Sequence, residues 1–197
     1  MFITPEFYNV WEYWNNIRGD RIIPERKKLN PADLSDYLGW LAILDWKGDE
    51  LNMRLLGSDI IKEVGVNFSG NKLFEKGLPR VTDFAWSNFK KIFNFPCGFQ
   101  LVFVERKTSG LLVEAAILLL PLAVEGIEDN QILCYRRHLG SVGYDSKYPD
   151  IVQLGINRMS YIDLGCGVPD IDLEEHLLTT RFIPNEKKSF FRRLLLS

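Results

Sequence analysis

The chain has 197 residues, a formal net charge of −2, and 46% hydrophobic and 25% charged residues. That length carries one domain with a full core and a modest extension, and such ordinary fractions exclude a disordered chain. The charge balance excludes the concentrated basic surface of a nucleic-acid-binding protein.

Residues 5–17 predict an amphipathic helix, with Phe7, Val10, Trp11, Trp14 and Ile17 at mixed three- and four-residue spacing. Gly19 and Pro24 end it. Asn30-Pro31-Ala32-Asp33-Leu34 then has the pattern of a helix start: Asn as cap, Pro in the first helical position, an acid in the first turn. That short helix stops near Gly39. Residues 40–46 read as a strand, Lys47-Gly48-Asp49-Glu50 as a turn, and 51–56 as the return strand, with Leu51, Met53 and Leu55 on one face. Gly57-Ser58-Asp59 opens a short helix to Val64, and Ser69-Gly70-Asn71 marks a break. Residues 78–93 form the longest helical candidate, striped by Val81, Ala85, Phe89 and Ile92 and ended by Pro96 and Gly98. Strands follow at 99–106, 111–122 and 131–137; residues 159–164 offer one more, and the last thirty residues read as a tail.

Two strands, a helical middle and a three-strand meander fit an α+β fold of the PAS-like kind: a five-stranded antiparallel sheet with helices on one face. An N-terminal helical flank is expected over 1–38, the PAS-like core over 39–143, and a C-terminal extension over 144–197.

Particular residues carry a family likeness over roughly residues 10–140. Arg18-Gly19-Asp20-Arg21 through Pro24-Glu25-Arg26, then Leu29-Asn30-Pro31, is one hallmark. An arginine-bearing strand running into glycine, Met53-Arg54-Leu55-Leu56-Gly57-Ser58, is the second. The third is the glycine-bracketed Gly65-Val66-Asn67-Phe68-Ser69-Gly70-Asn71, and a fourth is the apolar strand ending in proline, Leu118-Leu119-Leu120-Pro121-Leu122. Together they resemble a PAS-type family of alphaproteobacterial stand-alone domains, long catalogued as a domain of unknown function. The resemblance implies a PAS-like fold and a regulatory role on other signalling proteins. It implies no agreed ligand and no catalytic activity.

Several chemistry-bearing patterns compete with bland readings. Asp163-Leu164-Gly165-Cys166-Gly167 is similar to the first motif of S-adenosylmethionine-dependent methyltransferases. Pro169 stands where a third glycine is expected, and 28 residues cannot hold the remaining βα units, so a glycine-rich turn is the reading adopted. Cys134, His138, Cys166 and His176 lack the tight knuckle spacing of a zinc site, and no metal is expected. Haem is disfavoured because residues 78–93 contain no histidine, and a covalent flavin adduct because the Asn-Cys-Arg-Phe motif is missing. No Gly-x-Ser-x-Gly elbow occurs, and the pairs Asp33/Asp36 and Glu174/Glu175 read as solvated faces. The three cysteines (Cys97, Cys134, Cys166) make no even framework, which points to a reducing, cytoplasmic setting. The N-terminus lacks the pattern of a signal peptide, and the longest apolar stretch, 115–124, is broken by Pro121 and too short to span a bilayer.

The 13 Phe, 7 Tyr and 5 Trp supply rings for a core or a cavity. Trp40, Leu44, Met53, Phe68, Phe84, Phe89, Leu101 and Phe103 are expected to converge between sheet and helices, as a close-packed core or as the lining of an apolar ligand pocket. Arg54 and Gln100 alternate away from their apolar neighbours and are the candidate polar anchors. Trp11 and Trp14, three residues apart, are the candidate association surface, for self-packing or for a homodimer. The basic, apolar tail 187–196 reads as a terminal helix. The expected function is a non-enzymatic sensory or regulatory module that binds a signalling protein such as a histidine kinase and is modulated by a small apolar ligand, with no cofactor assigned. The alternative is a small-molecule enzyme using the pocket between sheet and helices.

Overall fold

The computed structural model describes residues 2–47, 50–65, 67, 69–70, 87–92, 95–107, 109–126, 131–144 and 152–170, with the backbone alone at 46, 47, 50 and 152–154. Helix α1 spans Pro5–Arg18. Thr4 Oγ1 accepts the Phe7 N–H, Pro5 and Glu6 occupy the first turn, and Gly19 closes the helix at a positive φ of 58°. Its buried side chains are Phe7, Val10 and Trp14, a stripe of three- and four-residue steps. Asn30 accepts the Ala32 N–H as expected, but Pro31–Trp40 is 3-10 rather than α, and it is kinked at Leu34.

A six-stranded antiparallel sheet forms the centre, in the order β2-β1-β5-β4-β3-β6. The strands are β1 (Leu41–Lys47), β2 (Glu50–Leu56), β3 (Cys97–Arg106), β4 (Leu111–Leu122), β5 (Gln131–Tyr144) and β6 (Val152–Asp163). Helix α2 (Ser58–Val64) follows β2, and Gly65 stops it in the left-handed region at φ 82°. Residues 87–92 are helical and fall within the expected long helix; Val81 and Ala85 lie outside the described residues.

Three details depart from the sequence-based expectation. Leu55 does not share a face with Leu51 and Met53. Opposite Ile43 and Leu44 the ladder skips Arg54, a bulge that turns Leu55 out to 51% exposure and brings Leu56 into the core. Strand β5 continues past Arg137 to Tyr144, despite Gly140 and Gly143, because the first half of β4 supplies ladder partners along its length. The sixth strand starts at Val152 rather than Met159 and pairs with β3 from end to end, so the C-terminal extension adds a strand to the core sheet.

Both sheet faces are covered, which is why every residue of β3 is buried. On one face Phe7, Val10 and Trp14 pack on Leu41, Ile43, Ala116, Leu118, Leu120 and Tyr135. On the other, Ile60 and Val64 of α2 and Phe89 and Ile92 pack on Leu44, Leu101, Phe103 and Met159. A close backbone approach seats α2: a Cβ on Gly57 would lie 2.4 Å from the Gly39 carbonyl oxygen.

Candidate functional site

The face beneath α2 gathers most of the residues singled out in the sequence. Leu44, Phe89, Leu101 and Phe103 are buried members of one apolar cluster, and Met53 and Trp40 pack against it. Phe68 and Phe84 lie outside the described residues. Phe89 meets Phe99 edge-on at 5.4 Å, and Phe99 meets Tyr161, whose hydroxyl donates to Asn88 Oδ1 at 2.9 Å.

Neither polar anchor faces that cluster. Gln100 points to the α1 side, where its Oε1 accepts the Ile3 N–H at 3.0 Å and its Nε2 donates to Ser160 Oγ at 2.9 Å. Arg54, on the bulge, is 60% exposed and pairs with Asp45 at 3.2 Å. The two tryptophans of α1 also diverge. Trp14 is fully buried and donates from Nε1 to the Pro121 carbonyl at 2.9 Å. Trp11 sits half-covered against Phe2 and Tyr8, with Tyr8 the more exposed ring.

Apart from His138, weighed above only as a zinc ligand, the charged groups on the α2 face were not among the sequence-derived candidates. Arg136 of β5 lies with its guanidinium 5.4 Å from the centre of the Phe103 ring, donating from Nε to Glu63 Oε2 at 3.1 Å and from a terminal nitrogen to Glu105. His138 Nδ1 stands 2.8 Å from Glu63 Oε1, and Lys107 Nζ is 3.5 Å from the same oxygen. An ionised carboxylate only accepts, so Nδ1 carries the proton in that contact. Burial pushes the Glu63 carboxyl up, but Arg136, His138 and Lys107 outweigh it and hold the group below the usual carboxylate range. Burial likewise opposes the charge on Arg136, and Glu105 and Glu63 more than restore it. The sequence did carry a signal for this cluster. Period-two alternation places Glu105 in line with Phe99, Leu101 and Phe103, and Arg136 and His138 in line with Ile132 and Cys134.

Burial pushes the thiols of Cys97 and Cys134 up to about 12, which leaves both as protonated, weakly nucleophilic groups. Cys166 is exposed in the turn after β6. In that turn Asp163 accepts the N–H groups of Gly165 (2.7 Å) and Gly167 (2.9 Å), so the glycines wrap the chain's own carboxylate. These backbone hydrogen bonds hold Asp163 below its ordinary range. Among the described residues no group of His, Cys, Asp or Glu is arranged to hold a metal ion, and His176 lies outside them. None of the described helices is long and apolar enough to cross a membrane.

An antiparallel sheet with a short helix over one face and a flanking N-terminal helix on the other defines an α+β domain of the PAS type. Residues 4–135 match the PAS domain family, and the chain belongs to it. No curated protein is similar enough to the chain to count as a relative.

Proposed function

We propose that this chain is a regulatory PAS module without catalytic activity. It binds a signalling protein such as a histidine kinase, and a small apolar ligand modulates that binding. The observation that carries the reading is the apolar cluster under α2, with the Glu63–Arg136 pair set against its Phe103. A ligand in that cluster would shift the population of helix positions over the sheet, and so the surface offered to a partner. The protonated state of the Cys97 and Cys134 thiols supports binding over nucleophilic chemistry at those side chains. Three free thiols support a reducing, cytoplasmic setting.

Native mass spectrometry of freshly purified protein, followed by affinity capture with identification of the captured proteins, tests this. A co-purifying small molecule and a recovered kinase or response regulator are the expected results. Ligand-free protein that captures no signalling component would overturn it.

A further inference from the structure

The Glu63 carboxylate is held like a bound ligand. Three donors from the fixed sheet and its margin converge on it: Arg136 and His138 of β5, and Lys107 just beyond β3. The carboxylate itself arrives from α2, a seven-residue helix with Gly57 before it and Gly65 after it. Glu105 also bonds Arg136, so part of that guanidinium's charge is matched whether or not Glu63 is present. Taking Glu63 away would leave Lys107, His138 and one edge of Arg136 facing a space that has just held a carboxylate. A guanidinium edge with flanking donors matches a flat, two-oxygen anion.

The position of this group relates it to the apolar cluster. Phe103, under the Arg136 guanidinium, is a buried member of that cluster. The Arg136 guanidinium therefore sits at the margin of that cluster, with apolar side chains next to the place where an anion would bind. The side chain of His138 is 36% exposed and that of Lys107 18%, against 8% for Glu63, so solvent reaches the receptor from the His138 side.

We propose that Arg136, His138 and Lys107 form a carboxylate receptor occupied internally by Glu63, and that the modulating ligand is a small organic carboxylate with an apolar body which exchanges with Glu63 and releases α2. This rests on the ligand-modulated reading above and replaces its purely apolar ligand with an amphipathic one. Exchange is driven by the ligand's preference for the released state, because the apolar body gains burial that the Glu63 side chain cannot supply.

The test has two arms. Glu63→Ala protein is heated in acetate or in chloride at equal ionic strength, beside wild type and the Glu63→Ala/Arg136→Met double variant. Acetate is expected to raise the Tm of Glu63→Ala by about 2–4 °C and to leave the other two unmoved. No acetate-specific rise, or a rise that survives loss of Arg136, overturns the receptor. In the second arm wild-type protein is titrated with hexanoate or hexanol while the Arg136 Nε–H resonance is followed by NMR. A shift with hexanoate alone supports the proposal, and this arm decides if Glu63→Ala does not fold. Equal response to both compounds overturns the carboxylate receptor while leaving an apolar-ligand module standing. Response to neither overturns the exchange. Failure to capture a signalling partner bears on the regulatory reading alone.

Discussion

Trp14 and Pro121 are joined by a hydrogen bond of 2.9 Å from the indole Nε1 to the proline carbonyl oxygen, 107 residues apart in sequence. Pro121 lies beyond the β3–β4 ladder, which ends at the Phe99–Leu119 pair, so its carbonyl meets the helix instead. The bond fixes where along the sheet α1 sits. Trp14→Ala is expected to destabilise the fold by about 3–5 kcal/mol through the lost ring. Trp14→Phe keeps most of the volume and leaves a buried carbonyl unpaired, at about 1–3 kcal/mol. Urea unfolding measures both, and a Phe variant as stable as wild type would show that the bond contributes nothing.

Gly57 has φ −67°, which any residue adopts, yet a Cβ there would strike the backbone of Gly39. Gly57→Ala is therefore expected to cost about 3 kcal/mol, because a carbonyl cannot rotate aside as a side chain can. Gly65 has open space around it but a φ of 82°, so Gly65→Ala should cost about 1 kcal/mol of backbone strain. Thermal unfolding of the two variants should rank them in that order; the reverse order would mean that the contact relaxes freely.

Arg136 and Arg137 are neighbours on β5 and serve opposite faces. Arg136 is buried against Glu63 and Glu105, whereas Arg137 meets Glu6 of α1 at 3.3 Å with both side chains about one-third exposed. Replacing Arg136 by Met leaves two buried carboxylates short of a partner and should cost about 3–5 kcal/mol. The same change at Arg137 should cost less than about 1 kcal/mol. Chemical denaturation reads the contrast, and similar losses at the two positions would contradict the buried character of the Arg136 network.

Acid stability follows from Glu63. Its folded-state pKa lies below the unfolded value, so it contributes stability that is complete above the ordinary carboxylate range and is lost as pH falls through the folded value. Glu63→Gln should be less stable than wild type at neutral pH, and the gap should narrow as the pH drops below about 4. Melting temperatures from pH 7 to pH 2 test this, and a gap independent of pH would count against an ionised Glu63.

Thiol labelling separates the cysteines. Cys166 should react with a maleimide in the native protein, while Cys97 and Cys134, buried and pushed up to about 12, should label only on unfolding. Mass spectrometry counts the adducts; rapid native labelling of all three would contradict the packing under α2.

Much of this fold is legible in local chemistry. The spacing of Phe7, Val10 and Trp14 announces a helix face, Asn30-Pro31 a helical start, and residues 111–122 a strand. What escapes a linear reading is set by partners distant in sequence. Nothing between Met53 and Leu56 announces a bulge, because the skipped residue is defined only against Ile43 and Leu44 of β1. Residues 138–144 look like a loop until β4 is placed beside them. The apolar cluster emerges from hydrophobicity alone, yet Glu63 looks like any exposed helical acid until α2 is laid over Arg136 and His138.

The bulge at Arg54 has a meaning beyond its effect on Leu55. Strand β2 is an outermost strand of the sheet, a place where another chain can add, and its Met53 carbonyl is already taken by the Gly70 N–H at 2.7 Å. An extra residue at mid-strand breaks the repeat that such an addition needs, and the exposed Arg54 puts a positive charge in its path. A kinked and charged border of this kind discourages fibrous stacking of one copy upon the next.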